Sequence, residues 1–287
     1  MGKEILGIIG GSGLYQIEGL SERREEVVHT PFGEPSGPYL SGVLEGTPVV
    51  FLPRHGPRHT LLPSEINYRA NIHGFRQLGV RSLLSVSAVG SLKEDIRPGD
   101  MVLPDQFFDR TKDRQATFFG EGVVAHVQFG DPVCPCLLDA VHKVLRDMGA
   151  RVHRGGTYVC MEGPIFSTRA ESQFYRKMGF DVIGMTNLPE AKLAREAEMC
   201  YCSLALSTDY DCWHQSEEAV SAGAVLEVFR KNLDTARAAI RGLARAFPLQ
   251  RSCACQSSLD GAIVTRPEAV PPATRERLRL LAGRFLA

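Results

Sequence analysis

No sign of charge dominates this chain. Lys+Arg and Asp+Glu both number 33 in 287 residues, for a formal net charge of zero. No basic stripe therefore recommends a nucleic-acid partner. Long apolar runs are missing too, and none approaches the length of a membrane span. The opening Met1-Gly2-Lys3-Glu4-Ile5-Leu6 has no signal-peptide hydrophobic region and no Ser/Thr at the myristoylation position. A cytoplasmic soluble protein without nucleic-acid or membrane partners is expected. Internal repeats and low-complexity tracts are absent. At 44% hydrophobic and 23% charged, the chain is long enough for one large α/β domain or two small ones.

Cysteine is present in number. Six of the eight form three Cys-x-Cys pairs, Cys134/Cys136, Cys200/Cys202 and Cys253/Cys255. A zinc site prefers wider spacing and usually has His nearby. Reduced, mostly buried thiols are expected, with a disulfide tying down the Cys253-Ala254-Cys255 tail as the alternative.

Strand-like runs lie at 5–9, 27–28, 39–43, 49–52, 82–86, 102–108, 157–161, 182–185 and 202–207. Glu45-Gly46 marks a hairpin turn, with Pro48 just before the next strand. Helices are predicted from Ser64, as N-cap, to about 79, at 137–148, at 169–178 and after Thr186 or Asn187. Leu226, Phe229, Leu233, Ala236, Ile240 and Leu243 recur every three or four residues, as in a long amphipathic helix. A last helix covers about 275–285. Strands and helices alternate without a long linker, which predicts a single α/β domain over 1–287 with a central mixed sheet flanked by helices. The tail 249–287 is its least determined part.

Chemistry-bearing residues cluster just after the strands, where α/β enzymes present groups to ligands. Gly10-Gly11-Ser12-Gly13 offers backbone amides and a hydroxyl to an anion. It fits neither a dinucleotide fingerprint nor a Walker loop, and alone it equally suits a tight turn. Arg54-His55-Gly56-Pro57-Arg58-His59 concentrates cations suited to phosphate oxygens. Ser87-Ala88-Val89-Gly90-Ser91 adds a hydroxyl and amides. Glu162-Gly163-Pro164-Ile165-Phe166-Ser167 and Met185-Thr186 supply an aromatic, a thioether and two hydroxyls. Ser207-Thr208-Asp209-Tyr210-Asp211-Cys212-Trp213 places two carboxylates two residues apart. These suit a ligand with an exocyclic amine beside a basic ring nitrogen, as in adenine. Taken alone, that run also suits a solvated turn.

These motifs, together with Pro98-Gly99-Asp100, resemble in order those of the trimeric purine nucleoside phosphorylase superfamily, and within it the methylthioadenosine phosphorylases, over about 5–250. The resemblance implies that Ser12, Arg54, His55, Ser87, Ala88 and Thr186 hold phosphate. Phe166 and Met185, with Ser167 beside them, flank ribose and base. Asp209 acts at purine N7 and Asp211 at N6, and His126 reaches a neighbouring subunit's 5′ pocket. A homotrimer, or a hexamer of two trimers, is implied, with orthophosphate as co-substrate and no metal or organic cofactor. Ser12 and Ser87 stand where relatives often carry Thr, and Ile165 replaces an Arg or Asn. The tail containing Cys253-Ala254-Cys255-Gln256 resembles archaeal and bacterial members rather than animal ones.

The activity implied is phosphorolysis of S-methyl-5′-thioadenosine. A 6-oxopurine or methylthioinosine phosphorylase is the nearest alternative, but relatives of that type carry Glu after the Phe and Asn at the first Asp, where this chain has Ser167 and Asp209. A nucleoside hydrolase would not need the phosphate motifs. A non-catalytic nucleoside-binding protein would bind without turnover.

Overall fold

The computed structural model describes residues 4–11, 13–214 and 222–286, excepting the side chains of 222–227, 229 and 231. A sheet of eleven strands forms its centre. The fully buried β1 (Leu6–Gly10) lies parallel between β4 (Thr47–Pro53) and β5 (Ser82–Ser91). Beyond β4 come β3 (Tyr39–Leu44) and the exposed edge strand β2 (Ser21–Glu26). The strand here is the charged Ser21–Glu26, and Val27-Val28, read from sequence as a strand, lie past its end. Glu45 (φ 51°) and Gly46 (φ 80°) close the β3–β4 hairpin as expected. Pro48 sits inside β4 rather than before it, opposite Val43.

The long β5 branches the sheet. Its 82–85 stretch pairs with β1, and its far end pairs antiparallel with β10 (Val182–Gly184). On the opposite edge it pairs in parallel with β11 (Cys200–Asp209) almost throughout. Ala88–Ser91, which the sequence places beyond the strand predicted at 82–86, are thus part of β5: β11 pairs with 88–90 and β10 with 90 and 91. From β10 the sheet continues to β9 (Thr157–Met161) and β7 (Gln106–Arg110). From β11 it continues to β6 (Met101–Leu103) and β8 (Val152–Arg154). The single strand expected at 102–108 is split at Pro104-Asp105, where the chain crosses from one branch to the other.

Among the described residues, six α-helices cover the faces: α1 (Tyr68–Gln77), α2 (Pro135–Asp147), α3 (Arg169–Lys177), α4 (Asn187–Glu196), α5 (Ala222–Arg245) and α6 (Pro272–Leu286). α1 starts later than predicted. Its cap is Asn67, whose side chain accepts from the Ala70 amide at 3.1 Å, and Ser64 lies in the preceding turn. α3 begins with a capping box between Thr168 and Glu171. One core cluster contains Tyr39, Phe75, Tyr158, Leu188 and Leu278; a second contains Leu84, Leu137, Leu204 and, from the α5 stripe, Ala236, Ile240 and Leu243; a small third contains Leu92, Val159, Tyr175 and Ile183. Leu226 and Phe229 of that stripe fall among the undescribed side chains. No helix among the described residues is long and apolar enough to cross a membrane.

Candidate active site

Four parallel strands, β4, β1, β5 and β11, lie side by side, so their carboxyl ends open on one side. Gly11 follows β1, Arg54-His55 follow β4 and Asp209 ends β11, while Ser87-Ala88 lie within β5, just beyond its stretch paired with β1. β10 runs back along β5 and delivers Met185 and Thr186 to the same place. The sequence motifs thus meet because strand order, not chain order, makes them neighbours. Between its β1 and β10 partners, β5 has an uncovered edge at 86–89. Val86 O faces this gap and accepts from Arg54 Nη1 at 3.0 Å. Alternate residues of a strand address the same edge, so the Ala88 amide turns toward the gap as well.

Polar groups crowd the gap. Ser87 Oγ donates to Asn187 Oδ1 at 3.2 Å. Thr186 Oγ1, Asn187 Nδ2 and the Tyr158 hydroxyl are buried without a hydrogen-bond partner. Buried polar atoms are nearly always paired, so three such atoms beside one another mark a place built for a polar ligand. Thr186 precedes α4 without making a capping hydrogen bond, and Leu188 (φ −119°, ψ 136°) breaks the helical path just after it. Gly184 makes room here, since a Cβ would come within 2.0 Å of the Tyr158 hydroxyl oxygen.

Arg54 departs from the expectation of a phosphate fork. It is only 2% exposed. Its Nε and Nη2 donate to Glu190 at 2.8 and 3.2 Å, and Nη2 also reaches Ser85 Oγ at 2.7 Å. Tyr201 donates to the same carboxylate at 2.9 Å. The guanidinium is thus a buried post beneath the strand ends. His55 sits at the rim, its Nδ1 2.9 Å from Leu61 O and its ring stacked on His59. Burial pushes its pKa down to about 4, so the ring is neutral at pH 7. With Nδ1–H donating to the carbonyl, Nε2 is left as an acceptor. Ser12 lies outside the described residues.

One strand over, Asp209 and Asp211 meet at the end of β11. Asp209 Oδ2 accepts from Thr208 Oγ1 at 2.7 Å, and Oδ1 accepts from the Asp211 amide at 2.8 Å. Burial raises the Asp211 pKa to about 6; the nearby Ser172 hydroxyl opposes this and the Asp209 charge adds to it. Gly90 lies beneath the pair. A Cβ there would come within 2.9 Å of Asp209 Oδ1, 3.2 Å of Ile183 Cγ2 and 3.3 Å of Asp211 Cβ. Gly90→Ala should therefore displace the carboxylates and lower kcat by up to roughly 10²-fold. Steady-state kinetics and a melting curve check it: a kcat unchanged at normal stability would show that the Asp209 position does not matter.

The loop after β9 leaves Phe166 45% and Ile165 82% exposed. Ser167 lies behind them, its carbonyl accepting from Cys212 Sγ at 3.2 Å. Sequence reasoning missed Arg114, which binds this loop to the β10–α4 turn. Its Nη1 donates to Met185 O (2.7 Å) and Leu188 O (2.8 Å), and its Nη2 to Glu162 O (2.6 Å). It also missed Glu190, Asn187 and Tyr158 as members of the polar cluster. Arg114 sits in a charged stretch, Thr111-Lys112-Asp113-Arg114, which reads as solvated surface. Glu190 falls in the helix predicted after Thr186 or Asn187, and nothing in its spacing points to its partner.

His126 is not brought to this cleft within the chain. It is exposed, its amide donates to Ala262 O at 2.9 Å, and it lines a cavity of about 460 Å³ with Asp131, Arg195, Cys253 and Asp260. Arg195 stands at the opposite end of α4 from Thr186.

The sequence model of the phosphorylase superfamily matches residues 5–247. The chain is 55% identical to the S-methyl-5′-thioadenosine phosphorylase of Geobacter sulfurreducens, across 99% of this chain and 100% of the relative. It is 57% identical to that of Koribacter versatilis, across 98% and 96%. Among solved structures, it is similar to a methylthioadenosine phosphorylase from an antarctic soil metagenomic library, with TM-score 0.93, 49% identity, and 98% and 99% coverage. It is also similar to the methylthioadenosine phosphorylase from Schistosoma mansoni in complex with adenine, with TM-score 0.85, 35% identity, and 91% and 99% coverage.

Proposed function

The chain belongs to the phosphorylase superfamily, and we propose that it catalyses phosphorolysis of S-methyl-5′-thioadenosine to adenine and S-methyl-5-thioribose 1-phosphate. It is an enzyme of the pentosyltransferase class. The observation that carries the reading is the cluster of unpaired buried polar atoms at Thr186, Asn187 and Tyr158, one strand away from the Asp209/Asp211 pair. The cluster suits an anion and the acid pair suits a purine edge.

Phosphate sits against Ser12, the Ala88 amide, Ser87 and Thr186, with His55 at the rim. The C1′–N9 bond breaks ahead of attack, and a phosphate oxygen then bonds C1′. The phosphate anion steadies the cationic sugar as charge develops. Hydrogen phosphate loses its proton on becoming the ester, and adenine gains one. Asp209 serves N7 and Asp211 accepts from the N6 amine. Phe166 and Met185 cover ribose and base, and His126 serves the 5′ pocket of a neighbouring subunit in a trimer. His126 lying at the far end of α4 from its own Thr186 supports that last role. Bond cleavage as proposed uses no metal or organic cofactor.

Base preference tests the reading. A 6-oxopurine would turn an acceptor, O6, toward ionised Asp211, and Ser167 offers no carboxylate to N1–H. Such a mismatch costs about 1–3 kcal/mol. Methylthioadenosine should therefore exceed methylthioinosine in kcat/KM by at least about tenfold. Equal use of the two would overturn the base assignment. In the same assay kcat/KM should fall as pH drops through about 6, where Asp211 takes up a proton, and Asp211→Asn should remove that limb. The stability effect has the opposite sense. The folded-state pKa lies above the unfolded one, so the protonated carboxyl favours folding. That contribution is complete below the unfolded value of ~3.9 and lost as pH rises through about 6.

A further inference from the structure

Three segments distant in sequence bring four thiols together away from the cleft. Cys134 is the N-cap of α2, Cys200 opens β11, and Cys253 and Cys255 lie at the start of the tail. Their four Sγ atoms all lie within 4.8 Å of one another, with Cys200 and Cys253 at 3.5 Å. The cluster takes one member from each of two Cys-x-Cys pairs and both from the third. Cys136 and Cys202 turn elsewhere, to Ser252 Oγ and to Ser203 O.

The dimensions fit a tetrahedral ion. Zinc–sulfur bonds of ~2.3 Å place the sulfurs of a tetrathiolate about 3.8 Å apart, so side-chain adjustment alone would close the shell. Cys134, Cys200 and Cys255 are buried and Cys253 is half-buried. Cys253 and Cys255 also line the cavity beside His126, which gives an ion a way in. No carboxylate or imidazole joins the group among the described residues. Four soft donors in a closed shell select zinc over the oxygen-seeking divalent ions. Four thiolates around a divalent cation leave two negative charges. The positive end of α2, starting at Cys134, offsets part of that. Arg251, close to Cys253 and Cys255 and ion-paired with Glu4, offsets more.

We propose that Cys134, Cys200, Cys253 and Cys255 bind one zinc ion as a structural tetrathiolate, which staples the C-terminal tail to the starts of α2 and β11. Each thiol gives its proton to solvent on binding, and no electron is transferred. The role is structural, because four thiolates complete a tetrahedral shell and leave no open position for a substrate; Cys200 and the chain's own Asp209 are also the two ends of β11. Beyond the staple the tail docks on the body, through Ser258 Oγ to Arg195 O at 2.6 Å and the Ala125–Ile263 bridge.

The test uses the full-length enzyme, purified without chelator and analysed for metal by mass spectrometry. About one zinc per chain is expected. After chelation under reductant, reloading with Co²⁺ should give thiolate-to-cobalt charge-transfer absorption with tetrahedral ligand-field bands. Adding Zn²⁺ to the stripped protein should raise the melting temperature. Cys255→Ser should lose the bound metal and that rise, whereas Cys136→Ser and Cys202→Ser should keep both. If Cys255→Ser does not fold, metal content and the cobalt spectrum of the wild type decide the matter. The proposal is overturned if reduced wild type binds neither ion, if the four cysteines are joined as disulfides and take up no metal after reduction, or if Cys255→Ser keeps the tetrathiolate spectrum.

Discussion

Asp209→Asn should lower kcat with methylthioadenosine by ~10²–10⁴-fold, the range typical of general acid–base assistance, while KM changes little. An amide can donate to N7 but cannot deliver or share a proton as adenine leaves. It also disturbs the local hydrogen bonds. Both carboxylate oxygens of Asp209 now accept, one from Thr208 Oγ1 and the other from the Asp211 amide. An Asn can place its oxygen toward only one of them, so its NH₂ must face the other. The variant should fold normally, since Asp209 is only half-buried. Steady-state kinetics with a melting control separate the effects. A kcat within a few-fold of wild type would remove Asp209 from the proton path. Methylthioinosine should lose less than methylthioadenosine, so the preference between them should narrow.

Arg54→Met should chiefly unfold the protein. The substitution leaves Glu190, 0% exposed, as a buried carboxylate supported only by Tyr201. Breaking a buried pair from one side costs about 3–5 kcal/mol, a large part of a typical domain's ~5–15 kcal/mol. Arg54→Lys should not rescue it, because an ammonium cannot span Glu190, Ser85 Oγ and Val86 O together. Arg54→Met with Glu190→Leu removes both charges and should recover much of the stability, as apolar replacements of buried pairs often do. Denaturant unfolding of the three variants is the check. Wild-type stability in Arg54→Met, with only the KM for phosphate raised, would show that the guanidinium faces the ligand after all.

Arg54 illustrates what the sequence could and could not reveal. Its position directly after a strand was legible, because β-rich runs ending in polar, Gly-rich turns carry a local signature. The direction of its side chain was not, because its partner Glu190 lies 136 residues away and contacts of that range leave no spacing pattern. The strand ends bearing Thr186 and Asp209, and the run around Ser87, were legible for the same local reason. Strand extents were less so: β5 runs on through Gly90 and Ser91 because β10 and β11 hold them there. The α1 start was misplaced because Ser64 and Asn67 are both competent caps, and packing favoured the second. The Cys-x-Cys pairs were visible, yet their grouping depends on α2, β11 and the tail meeting in space.

Adenine release by this enzyme should depend strictly on orthophosphate. The enzyme is incubated with methylthioadenosine in phosphate-free buffer and again with orthophosphate, and free adenine and the sugar product are measured. Adenine and methylthioribose 1-phosphate should appear in equal amounts, and only when phosphate is present. Equal adenine release without phosphate, with free methylthioribose as the sugar product, would contradict this dependence and make the protein a hydrolase.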